Sequence, residues 1–327
     1  MKLIIQVPAL NEETHIAKTI SELPEHIEGI DEIKILVIND GSSDRTVDVA
    51  RDAGADYIVN FSKTQGLARA FQAGLDASLQ LGADIIVNTD ADNQYYGKDI
   101  KKLVRPILIK EADIVVGDRR VKDLKHFTPI KRLLQIIGSW VVRQLSGTDI
   151  PDATSGFRAY SRFAALKINV VTEFTYTLET IIQAGKKRIN ISHVPVRSRK
   201  VERQSRLFKN NYSYIKRSIT SLIRIYTMYE PLKIFFYIGF FLSGIGLILM
   251  LRFLYYYFFT PFGSGHVQSV IFGIAFVIVG AQIFLIGLVS DLIASNRKLI
   301  DQVLLRMKKD ELNGDQLINI EVVKKKK

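Results

Sequence analysis

Cysteine is absent from the 327 residues. That excludes disulfides, a thiolate nucleophile and cysteine-ligated zinc. Histidine is scarce, with five in all, and none has the spacing of a metal site or a catalytic triad. No G-x-G-x-x-G follows the first apolar run, so a dinucleotide cofactor is not expected. The opening Met1-Lys2, Leu3–Val7 is too short for a signal peptide and runs straight into Asn11-Glu12-Glu13, so it reads as a first strand of a cytoplasmic part. Acidic charge is outweighed: 45 Lys and Arg face 33 Asp and Glu, a net charge of +12. A nucleic acid, a phosphorylated ligand or a membrane surface would suit that balance. Basic residues interleaved with aromatics on a single-strand-binding fold are missing, as is any groove-reading motif, so no nucleic-acid partner is expected.

What is present is a strand–helix alternation over the first half. Leu3–Val7 and Ile33–Ile38 are short apolar runs bounded by turn residues, as buried parallel strands are. Glu12–Leu23, ended by Pro24, reads as the helix between them. Asn39-Asp40-Gly41-Ser42-Ser43-Asp44 reads as a turn and helix start, with Ser42 or Ser43 as N-cap and Asp44 in the first turn. Tyr57–Asn60 is a third strand, and Gln65–Leu81 a helix with Leu67, Phe71, Leu75, Ser78 and Leu79 along one stripe. A helix over Lys98–Lys110, a strand over Asp113–Gly117, a charged loop at Asp118–Lys125 and a helix over Pro129–Leu145 follow. Ser155–Tyr160 reads as a strand-like return, Thr175–Ala184 as a helix ended by Gly185, and Arg188–Val196 as an edge strand. The pattern predicts a mostly parallel, doubly wound α/β sheet.

The stretch that organises this half is Val87–Tyr95, V-N-T-D-A-D-N-Q-Y. A buried strand ending in Asp90-x-Asp92 puts two carboxylates at the carboxyl edge of a sheet, where open α/β sheets bind ligands. With the Gln94 amide oxygen they form a hard oxygen donor set suited to Mg²⁺ or Mn²⁺ on a diphosphate. Taken alone, the stretch reads equally well as a solvated acidic turn.

The second half changes character. Arg197, Arg199, Lys200, Arg203, Arg206 and Lys209 lie close together, and Ile215, Ile219, Leu222, Ile223 and Tyr226 then fall at helical spacing. A basic amphipathic helix of this kind lies in a headgroup layer. Ile234–Leu251 and Val267–Ser290 carry no charge, and each is long enough for a bilayer at roughly 20 residues per crossing. Their connection, Thr260–His266, lacks Lys and Arg while both outer flanks are rich in them, so the positive-inside rule puts both ends in the cytoplasm. The resulting plan is a catalytic domain over 1–205, a juxtamembrane helix over 206–230, a two-span hairpin over 231–292 and a cytoplasmic charged tail over 293–327. Within that tail Leu299–Leu312 reads as amphipathic and Lys324–Lys327 as disordered.

Val7-Pro8-Ala9-Leu10-Asn11-Glu12-Glu13, Asn39–Asp44 and Asp90-Ala91-Asp92-Asn93-Gln94 occur in order, and together they resemble family 2 glycosyltransferases of the GT-A fold. Ser155-Gly156-Phe157-Arg158, Ser205-Arg206-Leu207 and the terminal hairpin narrow the resemblance to the polyprenyl-phosphate glycosyltransferases, the group that contains dolichol-phosphate mannose synthase. Leu10 stands where many relatives have an aromatic residue, and Asn39 where many have a second aspartate. The resemblance implies that Pro8, Asn11, Glu12 and Asp40 line a nucleotide pocket and that Asp90, Asp92 and Gln94 hold a divalent cation on the donor diphosphate. It implies a membrane-bound inverting hexosyl transfer from a GDP- or UDP-sugar to a polyprenyl phosphate at the bilayer. Arg203 and Arg206 are candidates to complete the diphosphate clamp, Arg119 and Arg132 to grip the acceptor phosphate, and Asp118 or Asp152 to orient it or take a proton. The family pattern favours Asp152. A transferase acting on a hydroxyl, which needs a true base, and a non-catalytic membrane scaffold are the rival readings. Oligomeric state is left open.

Overall fold

The computed structural model describes residues 1–120, 129–170, 176–199, 219–220, 223–224, 227, 229–259, 266–311, 318 and 320–323, with the side chains of 129–134, 297–298, 309 and 311 outside the description. In chain order the first elements are β1 (Lys2–Ala9), α1 (Ile16–Ser21), β2 (Glu32–Asn39), α2 (Thr46–Asp52), β3 (Tyr57–Asn60), α3 (Leu67–Gln80) and β4 (Ile85–Asn88). A short 3₁₀ turn at Gly97–Asp99 leads into α4 (Ile100–Leu108), followed by β5 (Ile114–Asp118), α5 (Pro129–Ser146), β6 (Arg158–Ser161), α6 (Arg162–Lys167), α7 (Tyr176–Lys186) and β7 (Ile191–Pro195). Then come α8 (Pro231–Phe259), α9 (Val267–Glu311) and β8 (Ile320–Val322).

Among the described residues the strands form one sheet in the order β7-β5-β6-β4-β1-β2-β3-β8. The pairs β1–β2, β1–β4, β2–β3 and β5–β7 are parallel, while β6 lies antiparallel between β4 and β5. Leu3, Ile4, Ile5 and Val7 of β1 are wholly buried, as are Ile85, Ile86 and Val87 of β4. Strands sealed on both faces in this way read as continuous apolar runs, which is why their positions were legible. Phe71, Leu75, Ser78 and Leu79 of α3 are buried as their spacing predicts.

Local differences from the sequence reading have specific causes. Ser42 and Ser43 do not cap α2, which starts later, at Thr46. Arg45 is the N-cap residue and its side chain makes no capping bond; Asp44 lies ahead of the helix and not in its first turn, its Oδ1 accepting from the Thr46 N–H at 3.0 Å. Gly185 does not end α7, which continues to Lys186. A Cβ at Gly185 would overlap the carbonyl oxygen of Ser146 in α5, so the residue is small because two helices meet there. Gly185→Ala is expected to lower stability by about 1–3 kcal/mol through overpacking against backbone, read as a fall in denaturation midpoint. The stretch 293–327, expected to be a charged tail, continues α9 to Glu311 and then supplies β8, which pairs antiparallel with β3. The short run Leu317–Val323, broken by Asn319 and Glu321 and followed by four lysines, reads as tail until the β3 edge gives it a partner.

The chain divides into two compact units: 1–219 with 305–327, and 220–304. In the second unit α8 and α9 are long and apolar enough to cross a membrane, and only 11% and 17% of their most apolar windows are buried. A core helix of a soluble protein would be mostly covered, so these are candidate membrane spans. Gly239 lies against Gly280 and Gly246 against Gly273, where an added Cβ would come within 2.7 Å and 2.6 Å of the opposing carbonyl oxygen. Small residues let the two helices approach closely. Most of the juxtamembrane stretch 206–230 lies outside the described residues; Ile219 and Ile223 within it are exposed.

Candidate active site

The carboxyl ends of β1 and β2 carry two loops that interlock. Asn11 adopts φ 53°, a left-handed conformation that asparagine tolerates better than most residues. Its N–H donates to Ser42 Oγ at 2.9 Å, and its Oδ1 accepts from the Ser43 N–H at 2.8 Å. The Glu12 N–H donates to Thr46 Oγ1 at 2.7 Å, and Glu13 Oε2 accepts from the Arg45 N–H at 3.0 Å. Glu12 is buried, with His15 Nδ1 at 3.4 Å from its Oε2. Pro8 is buried within β1, opposite Ile38. Asp40 is also buried and receives the Gln65 N–H at 2.7 Å and the Gly66 N–H at 3.0 Å, which fixes the approach to α3. The structure thus brings Pro8, Asn11, Glu12 and Asp40 to one sheet edge.

Asp90 and Asp92 follow β4 at the same edge, both partly exposed. The Gln94 N–H donates to Asp92 Oδ1 at 3.1 Å, and Asn93 between them adopts φ 56°. This tight turn is braced by Arg199, which sequence reading treated only as one of a basic run. Arg199 Nη1 donates to Asn93 Oδ1, its Nη2 donates to Glu22 Oε2 at 2.8 Å, and its N–H donates to the Gln94 carbonyl at 2.8 Å. Its guanidinium also stacks 3.9 Å from the centre of the Tyr96 ring. Arg197 pairs with buried Asp99 at 3.0 Å.

Behind Asp90 sits Gly156. A Cβ there would lie 3.0 and 3.3 Å from the Asp90 carboxylate oxygens and 2.7 Å from the Tyr176 hydroxyl. Two buried amides place this residue. Gln6 Nε2 donates to Asn88 Oδ1 at 2.9 Å, and Asn88 Nδ2 donates to the Gly156 carbonyl at 2.8 Å. Arg158, wholly buried, donates to the carbonyls of Ala153, Ser155 and Thr177 at 2.7–2.8 Å. A buried charge that donates to several backbone carbonyls is a strong organiser of loop backbone. The available signals were a lone Gln and a lone Asn interrupting apolar strands, since a buried polar side chain needs a partner.

Arg119 and Asp152, to which separate roles were assigned, are joined to each other. Nε donates to Oδ2 at 2.7 Å and Nη2 to Oδ1 at 2.9 Å, with Thr154 Oγ1 taking a second Nη2 bond at 2.8 Å. Arg119 is 8% exposed and Asp152 1%. Burial alone would raise the Asp152 carboxyl, but the adjacent guanidinium outweighs it and holds the group below the usual carboxylate range. Burial likewise opposes the charge on Arg119, and Asp152, with Tyr95 and Asp90, keeps it raised. Burial pushes the Tyr95 phenol up to about 12, so it stays neutral. Its hydroxyl accepts the Gly156 N–H at 3.3 Å. Asp118 Oδ1 accepts from the Arg120 N–H at 2.7 Å. The Arg132 side chain, Arg203 and Arg206 lie outside the described residues.

Could these residues hold a divalent cation? Among the described residues no three His, Asp or Glu converge as a ready-made cluster. Asp90 and Asp92 supply hard oxygens on a braced turn, and the bare Gly156 leaves the Asp90 carboxylate room. The set fits a cation that draws its remaining ligands from a bound diphosphate.

The family described as Glycosyl transferase family 2 matches residues 4–168. The UDP-N-acetylglucosamine–dolichyl-phosphate N-acetylglucosaminyltransferase of Methanococcus voltae is 29% identical over 217 residues, 59% of this chain and 83% of that protein. The glycosyltransferase AglJ of Haloferax volcanii is 28% identical over 297 residues, 89% of this chain and 93% of that protein. Glucosyl-3-phosphoglycerate synthase from Mycobacterium tuberculosis, crystallised with Mn²⁺, UDP and glucosyl-3-phosphoglycerate, superposes with a TM-score of 0.52 at 19% identity. That superposition covers 69% of this chain and 78% of the other. The likeness is one of fold: a mostly parallel, GT-A-like α/β sheet.

Proposed function

Because this glycosyltransferase belongs to glycosyl transferase family 2, we propose that it moves a hexose from a nucleoside-diphosphate sugar to a polyprenyl phosphate at a membrane. The observation that carries the reading is the braced Asp90-x-Asp92 edge in a chain that also has two candidate membrane spans. The acceptor named for the Methanococcus voltae relative, dolichyl phosphate, agrees with it.

In this reading Asn11, Glu12 and Asp40 shape the nucleotide side of the edge, with Pro8 beneath them. Asp90 and Asp92, with Gln94, would hold Mg²⁺ or Mn²⁺, which supplies charge neutralisation for the departing diphosphate. Arg203 and Arg206 remain candidates to complete that clamp, and Arg132 to hold the acceptor phosphate. A phosphate acceptor is anionic near neutral pH and needs no strong base. That suits Asp152, whose carboxylate is committed to Arg119 and is a weak proton acceptor. A hydroxyl acceptor would need the base this pair withholds, so the geometry favours the phosphate. A single displacement at the anomeric carbon inverts configuration. The positive charge flanking the spans supports a cytoplasmic catalytic unit.

The test uses membranes containing the protein, a polyprenyl phosphate and a panel of UDP- and GDP-sugars. Label is expected in the organic-extractable fraction, and only with Mg²⁺ or Mn²⁺. Absence of transfer from every donor by folded protein sinks the reading; transfer undiminished by EDTA sinks the cation assignment alone.

A further inference from the structure

Strand β8 has no part in the chemistry above, yet it is fastened more firmly than a three-residue strand needs. Glu321 lies opposite Ile58, and the Val323 N–H donates to the Asp56 carbonyl at 3.0 Å. Arg51 grips the Glu321 carboxylate as a fork, Nε to Oε1 and Nη2 to Oε2, both 3.0 Å. Upstream, Lys308 Nζ donates to Asp76 of α3 at 2.8 Å.

From Glu321 a run of hydrogen bonds leads to the interlocked loops. Asn60 Nδ2 donates to Glu321 Oε2 at 3.3 Å, Asn39 Nδ2 to Asn60 Oδ1 at 3.1 Å, and the Ser42 N–H to Asn39 Oδ1 at 3.0 Å. The Asn11 N–H then donates to Ser42 Oγ, and the Ser43 N–H to Asn11 Oδ1. The two amides share one polarity: each donates toward Glu321 and accepts from the side of the site. A carboxylate can only accept, so it fixes the flip of Asn60, which in turn fixes Asn39. Turning Asn60 over would aim its carbonyl at a carboxylate and its NH₂ at the Asn39 NH₂. Asn39 is buried, so water cannot readily replace the bond that holds the Ser42 turn.

We infer that Glu321 is a positioning residue for the donor pocket: through Asn60 and Asn39, strand β8 holds the Ser42-Ser43 turn and Asn11 in their receiving shape. The inference rests on the proposed nucleotide role of that edge. A strand that merely covers the β3 edge would affect stability without touching that turn.

The full-length protein in lipid nanodiscs is compared as wild type, Glu321→Ala, Asn60→Ala and the double variant. Hydrogen exchange of the Ser42 and Ser43 amides, which needs no substrate, is expected to quicken about two- to tenfold in each single variant. The donor KM should rise by a similar factor, with kcat and the acceptor KM unchanged. The double variant should match the singles, because one continuous run is broken once. If Glu321→Ala also loosens β8, Asn60→Ala decides, since it leaves the strand and the Arg51 fork in place. Unchanged Ser42 and Ser43 exchange in either single variant, or additive effects in the double where β8 stays paired, overturns the inference. Coupled exchange in a protein inactive on every donor leaves the inference standing and removes the functional reading instead.

Discussion

Asp152→Ala is expected to destabilise the protein by about 3–5 kcal/mol, because it strands a buried guanidinium without its counter-charge. Arg119 is held by Asp152 through two bonds of 2.7 and 2.9 Å in a nearly dry setting. Arg119→Met with Asp152→Leu should recover most of that stability, since well-packed apolar pairs replace buried ion pairs at little loss. Sugar transfer should nevertheless be lost in the double variant, because the charge beside Asp90 has gone. A double variant that is both stable and active would reduce the pair to scaffolding. The pair also has a pH signature. The folded-state pKa of Asp152 is depressed, so its contribution is fully present above the unfolded value of about 3.9 and fades as pH falls from there through the folded value. On acidification below about pH 4 the denaturation midpoint of the wild type should therefore fall faster than that of the double variant, in which no Asp152 carboxylate titrates.

Asp92→Asn should do the opposite, leaving stability within about 0.5 kcal/mol while transfer falls by at least about 100-fold. Asp92 is partly exposed, and an asparagine there keeps an oxygen to accept the Gln94 N–H, so the turn survives. What is lost is one anionic oxygen for a cation. Calorimetry should show nucleotide binding that no longer strengthens on adding Mn²⁺. Transfer within about threefold of the wild type, a change of well under 1 kcal/mol in the barrier, would remove Asp92 from the cation site.

The two experiments differ in how far each residue's part could be read from the sequence. Asp90-x-Asp92 announces itself because an apolar strand must end in solvent, and carboxylates just beyond it have nowhere else to be. Arg119 and Asp152 each suit phosphate or proton chemistry in isolation, and nothing in the 33-residue separation says that they neutralise one another. The insertion of β6 antiparallel between β4 and β5 was equally silent, since Arg158-Ala159-Tyr160-Ser161 carries no mark of direction. Yet that insertion brings Gly156 to Asp90. Arg199 read as one more charge ahead of the amphipathic stretch, and is instead the brace of the Asn93 turn.

The sequence by itself determined the chemical inventory: oxygen donors at a sheet edge, the interleaved strands and helices, two uncharged spans and the family they compose. Those follow from local pattern, because periodicity and the sorting of apolar from polar residues act over neighbours in the chain. Only the tertiary structure decided which charges are spent on each other, which glycine is a contact rather than a stop, and that Ile320–Val322 returns to the sheet. Burial is the reason. The cost of an unpaired charge, and the hydrogen bond that relieves it, depend on what distant segments exclude water from the group.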